Sequence, residues 1–193
     1  MTLRQVAVLA LTVTALGACR RTPPPETPAP VAAEDAGARA REQARADSIA
    51  AARAQQESAE RARVAALSRV QEELTDIIFF EYDSDQLTSE AEARLRSKAA
   101  IMRANPGVQL RVEGHADERG STEYNLALAQ RRAETVRNFL SGYGIETGRI
   151  GTLSYGKERP LVEGTGEAAW ARNRRAEFVV TGGSISTIPP EAR

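Results

Sequence analysis

Residues 34 to 74 constrain the fold more than any other stretch, because they hold almost nothing with which to build a core. They are mostly Ala, Arg, Glu and Gln, with no Pro and one Gly (Gly37), and their large apolar residues are Ile49, Val64, Leu67, Val70 and Leu74. Strong helix formers with acidic residues three or four positions from Arg predict a helix. Only Leu67, Val70 and Leu74 keep an apolar stripe, well short of the three or four heptads a coiled coil needs. The stretch therefore reads as a solvated spacer helix, spanning ~60 Å at 1.5 Å per residue, with an oligomerising coiled coil as the alternative.

A core must come from residues 75 to about 181. Asp76 to Tyr82 reads as a buried strand, Leu87 to Asn105 as a helix with a capping box of Ser89 and Glu92, and Val108 to Glu113 as an alternating strand. A polar loop from Gly114 to Thr122 leads to a second helix, Glu123 to Leu140. Arg149 to Tyr155, Glu167 to Asn173 and Ala176 to Thr181 read as strand, short helix and strand. The order β-α-β-α-β-α-β predicts an α/β (α+β) domain, with helices on one face of a small mixed sheet. Residues 182–193 read as a disordered tail.

The N-terminus carries export features. Arg4 precedes an apolar run, Val6 to Leu16, that is too short for a bilayer needing roughly 20 residues, and small residues follow. Leu16-Gly17-Ala18-Cys19 resembles the bacterial lipobox, which implies that residues 1–18 are a signal peptide and Cys19 is the lipidated first mature residue. Arg20 follows Cys19 where an aspartate would mark inner-membrane retention, so the expected location is the periplasmic face of the outer membrane. Residues 19–33, rich in Pro, read as an extended tether.

Charge excludes some functions. The chain holds 26 Lys plus Arg and 26 Asp plus Glu; removing residues 1–18 takes away only Arg4 and leaves a net charge of −1. No basic surplus points to nucleic acid. One His and one Cys rule out a zinc site of the usual His and Cys type, and no cofactor motif is present. No nucleophile, metal or carboxylate-pair motif supports an enzyme, so a hydrolase using Asp117 and His115 is the weaker alternative. His115 is expected as a hydrogen-bonding loop residue.

One constellation breaks the structural pattern. Arg132 falls on or beside the apolar stripe formed by Leu128, Ala129, Ala133 and Val136, where a charge is costly unless paired. The preceding loop offers Asp117. Two readings stand: Arg132 pairs with an internal carboxylate or snorkels out, or Asp117 and Arg132 flank a pocket and hold a zwitterion. In the second, Asp117 accepts from an ammonium group and Arg132 forks onto a carboxylate.

Phe80-Glu-Tyr-Asp83, Val112-Glu-Gly-His-Ala-Asp-Glu-Arg-Gly120, Glu123-Tyr-Asn-Leu126, Arg131-Arg-Ala133, Ser154-Tyr-Gly-Lys-Glu-Arg-Pro160 and Asn173-Arg-Arg-Ala-Glu177 occur in one order. This set resembles the OmpA-like peptidoglycan-binding domain, and more closely the peptidoglycan-associated lipoproteins (Pal) of Gram-negative bacteria. The resemblance implies a non-enzymatic wall-binding module whose ligand is the meso-diaminopimelate of the stem peptide, held by Asp117 and Arg132. It implies lesser pocket roles for Tyr82, Asp83, Arg119, Asn125 and Leu128, and a partner in TolB, the periplasmic β-propeller of the Tol system. A related envelope lipoprotein outside Tol-Pal is the alternative, since the spacer is longer than in typical members. Trp170 stands where a tyrosine is commoner.

Overall fold

The computed structural model describes residues 31–190; the lipobox, Cys19 and most of the tether lie outside the described residues. The first helix, α1, runs over Val31–Thr75, so helix begins three residues before the expected spacer boundary. The chain divides into two units, Met1–Ala51 and Ala52–Arg193. In the described part of the first, every side chain from Asp35 onward is exposed, as the Ala/Arg/Glu composition dictates.

In the second unit, α1 stays exposed to Ala65 and then turns a face inward: Val70 and Leu74 are buried in the core. The spacer expected to end at residue 74 thus contributes its last turns to the domain, because the Leu67, Val70, Leu74 stripe finds a partner surface. Lys98, wholly buried on the next helix, donates from Nζ to the Glu73 and Leu74 carbonyls at 2.6 and 3.0 Å and sits 4.4 Å from the centre of the Phe178 ring. It satisfies carbonyls that the end of a helix leaves without intrahelical partners.

Burial lowers the Lys98 pKa to about 7, while Asp76 and Glu73 work the other way and Arg94 adds to the fall. Below pH 7 folded and unfolded chains both carry this proton; between about 7 and the ordinary 10.5 only the unfolded chain does. Stability should therefore rise on the order of 2 kcal/mol from pH 7 to 9. Urea titrations of wild type and Lys98→Met at the two pH values check this; an equal rise in both proteins would refute the assignment.

The remaining elements are β1 (Ile78–Phe79), α2 (Ser89–Ala104), β2 (Gln109–Gly114), α3 (Thr122–Gly142), a single 3₁₀ turn (Thr147–Arg149), β3 (Ile150–Ser154), α4 (Glu167–Asn173) and β4 (Arg175–Gly182). The sheet order is β1-β4-β2-β3, with β2 and β3 parallel and the other pairs antiparallel. The expected α/β class and mixed sheet hold. The first strand is only two residues long: the Phe80 amide still donates to Arg174 in register, but the Arg174 amide is taken by the Trp170 carbonyl at the end of α4, and Asp83 then takes a positive φ of 52°. The cap of α2 is Thr88, not Ser89: Thr88 has extended backbone and its hydroxyl accepts from the Ala91 amide at 3.1 Å.

The core lies between α2, α3 and one sheet face, where Leu95, Ala99, Met102, Ala133, Val136 and Leu140 meet Leu110, Val112, Ala176 and Phe178. Helix α3 sits so close to β2 that a Cβ at Gly114 would run into the Ala129 carbonyl oxygen. That approach sets the start of α3 beside the β2–α3 loop.

Residues 182–190 are not a loose tail. Buried Asn105 accepts from the Ser186 and Thr187 amides, both at 2.9 Å, and donates to the Thr187 carbonyl at 2.9 Å. Ile185 and Ile188 pack against the core. One amide side chain stands in for a missing strand partner, and the apolar pair adds burial.

Candidate functional site

Three segments converge at one end of the sheet: the turn after β1, the loop between β2 and α3, and the first turns of α3. The turn carries Tyr82 and Asp83; the loop carries Asp117, Arg119 and Gly120. Helix α3 starts at a Ser121 cap, whose hydroxyl accepts from the Tyr124 amide at 3.2 Å, and presents Tyr124, Asn125, Leu128 and Arg132. These nine residues line a cavity of about 120 Å³. All seven residues expected at the ligand site are among them. Gly120 and Tyr124 were not expected; Tyr124 lies inside the quoted Glu123 to Leu126 motif, and its exposed helix-start position gave no periodicity signal.

Arg132 is fully buried, yet it follows neither structural alternative, since it neither snorkels nor pairs with a carboxylate. Its Nε donates to the Ser84 carbonyl at 2.8 Å, and its terminal nitrogens donate to the His115 and Glu81 carbonyls at 2.8 and 3.2 Å. Phe80 lies under the guanidinium, 5.2 Å from ring centre to Cζ. No carboxylate lies within 4 Å of it among the described residues. Three of its five N–H groups are used, which leaves one on each terminal nitrogen. Burial, aided by the Arg174 charge, lowers its pKa to about 10, so it remains a cation at neutral pH.

Asp117 is occupied. Its carboxylate accepts from the Arg119 amide at 3.1 Å, from Arg119 Nε and Nη2 at 3.2 and 2.6 Å, and from Arg174 Nη1 at 3.5 Å. Burial raises its pKa, but the Arg119 hydrogen bonds and charge, with Arg174 behind them, outweigh this and hold it below the usual value. Arg119 is sandwiched between Tyr82 and Trp170, with each ring centre 4.1 Å from its Cζ. Arg174 also bonds Glu167 at 2.6 Å and the Phe80 carbonyl at 3.1 Å, so it supports the loop from below.

Asp83, by contrast, has no basic partner within 4 Å among the described residues and accepts only from the Tyr124 hydroxyl. Asn125 donates to the Arg119 carbonyl at 2.7 Å and pins the loop. Asn173 does more than end α4: its side chain bonds the Leu161 and Val162 backbone at 2.8 to 3.0 Å. His115 does not behave as a hydrogen-bonding loop residue. Its backbone amide and carbonyl are bonded, but the ring is buried against Tyr155 and neither ring nitrogen has a partner among the described residues.

The cavity is lined by two carboxylates and two guanidiniums. One of each is engaged with the other, and the remaining pair, Arg132 and Asp83, has no oppositely charged partner within 4 Å among the described residues. Such a site complements a small group that carries both charges.

Residues 79–174 match the OmpA family. Over 99 residues the chain is 46% identical to a peptidoglycan-associated lipoprotein of Haemophilus influenzae, covering 51% of this chain and 65% of that one. Over 107 residues it is 45% identical to a peptidoglycan-associated lipoprotein of Brucella melitensis, covering 55% and 64%. The match thus spans just under two thirds of these relatives' length. The crystal structure of the peptidoglycan-associated lipoprotein from Burkholderia pseudomallei superposes with a TM-score of 0.53 at 40% identity, covering 54% of this chain and 89% of that one. Ordered motifs, sheet topology and these relatives agree, and the chain belongs to the OmpA family, alongside the peptidoglycan-associated lipoproteins.

Proposed function

We propose that the chain binds peptidoglycan without covalent chemistry, through the zwitterionic end of meso-diaminopimelate in the stem peptide. The observation that carries this reading is the buried Arg132 guanidinium, which faces the cavity with no carboxylate beside it. The ligand's carboxylate takes the two remaining N–H groups of Arg132 as a fork. Its ammonium group lies toward Asp83 and Asp117, with Arg119 giving up part of its hold on Asp117.

Lipidation at Cys19 and the helical spacer would make the protein an outer-membrane tether to the wall, with no turnover of its ligand. The family resemblance further supports a place in the Tol-Pal system with TolB as partner; the cell-wall ligand rests on the cavity as well.

Sedimentation with purified sacculi tests the ligand. The chain should pellet with diaminopimelate-containing sacculi and stay in the supernatant with lysine-containing ones, whose stem peptide lacks the distal carboxylate. Equal retention by both walls would overturn the assignment.

A further inference from the structure

The sheet face turned away from the core helices carries a second cluster of polar side chains, none of which lines the cavity, although the His115 carbonyl accepts from Arg132 behind it. Glu113 on β2 and Glu177 on β4 are directly opposed partners in the strand register, an arrangement that sets like charges against each other. Each is held by an arginine two residues earlier on its own strand: Arg111 to Glu113 at 2.6 Å, and Arg175 to Glu177 at 2.6 Å. His115 extends the same row. It is only 2% exposed, its ring stacks on Tyr155 at 5.4 Å, and neither of its nitrogens has a hydrogen-bond partner. Burying both nitrogens without partners is costly, and the sequence pattern supplies no local reason to accept that cost.

A ring nitrogen of His115 and one carboxylate oxygen from each glutamate lie within 4.8 Å of one another. We infer that Glu113, His115 and Glu177 form a binding site for a divalent transition-metal ion, with Zn²⁺ the best-matched ion. One imidazole and two carboxylates are a nitrogen and oxygen set that Zn²⁺ accepts in tetrahedral geometry, with water as the fourth ligand.

In tetrahedral geometry, bonds of about 2.0–2.2 Å place ligand atoms ~3.3–3.6 Å apart, so atoms that now lie within 4.8 Å of one another must draw together by up to ~1.5 Å. Glu177, whose side chain is 31% exposed, has room to rotate, and its exposure leaves the open position to solvent. The two arginines cancel the two carboxylates, so an ion must displace part of that pairing. Arg111, 41% exposed, can turn to solvent and free Glu113 for the ion, whereas buried Arg175 stays on Glu177 as an outer partner.

Calorimetry on the untagged full chain carrying Cys19→Ser, which removes the only thiol, tests the site with zinc chloride and magnesium chloride in parallel. One equivalent of zinc should bind saturably, and magnesium should not. Glu177→Gln, at a half-buried position where the fold can be verified by circular dichroism, should weaken zinc binding at least ~10-fold, and His115→Gln should do the same. No saturable zinc binding, equal binding of magnesium, or wild-type zinc affinity in a folded Glu177→Gln protein would each overturn the inference.

Discussion

Arg132→Ala is expected to lose ligand and stability together. The substitution strands the Ser84 and His115 carbonyls, leaves the Glu81 carbonyl with only the 3.4 Å bond from the Ser84 amide, and empties the space above Phe80. Buried acceptors left unmatched cost ~1–3 kcal/mol each, less where water enters, so a loss of ~3 kcal/mol or more in urea titration is expected. Affinity for diaminopimelate-containing sacculi should fall tenfold or more, since ~1.4 kcal/mol is a factor of ten and a charged hydrogen bond is worth more than that.

Arg132→Lys separates the two effects. A lysine ammonium keeps the charge and can reach some of the carbonyls, but it offers no planar fork. Most of the stability should return while the affinity stays at least tenfold low. A folded Arg132→Lys protein with wild-type affinity would refute the fork.

Leu74→Ala should unfold the domain at markedly lower denaturant, by about 2–5 kcal/mol, because the side chain is wholly buried and its neighbours collapse only in part. Removing residues 35 to 60, whose side chains are all exposed, should leave the unfolding midpoint of the domain where it was. Both results come from one set of chemical unfolding curves. A mild Leu74→Ala, or a large loss on removing the exposed stretch, would show that the domain begins elsewhere.

The difference between those two manipulations shows where the sequence could be read and where it could not. The alternation of Leu110 and Val112 and the stripe of Ala129, Ala133 and Val136 reveal β2 and α3 directly, since each period maps onto one buried face. Val70 and Leu74 give the same kind of signal over two turns only. Their partner surface, with Lys98 donating to the carbonyls beside them, lies some 25 residues away in sequence. The order of residues 182–190 was hidden for a similar reason: it depends on Asn105, whose side chain reaches across more than 80 positions.

At the cavity, the misfit of a charge on an apolar stripe picks out Arg132 from pattern alone. What pattern does not reveal is how that charge is accommodated. Its acceptors are backbone carbonyls, which every residue possesses and no sequence advertises. The engagement of Asp117 by Arg119 and Arg174 is equally a product of the folded loop, and it leaves Asp83 as the lining carboxylate with no basic partner within 4 Å among the described residues.

The join at the C-terminal end of α1 has a mechanical consequence. Helix runs without a break into the hydrophobic interior, so no slack loop stands between residues 52–75 and the core. A pull along that helix would load Val70, Leu74 and the two Lys98 hydrogen bonds at once, as a shear across a packed interface. The polypeptide would meet resistance from the first ångström of extension, and the domain would yield by releasing its helix before its sheet.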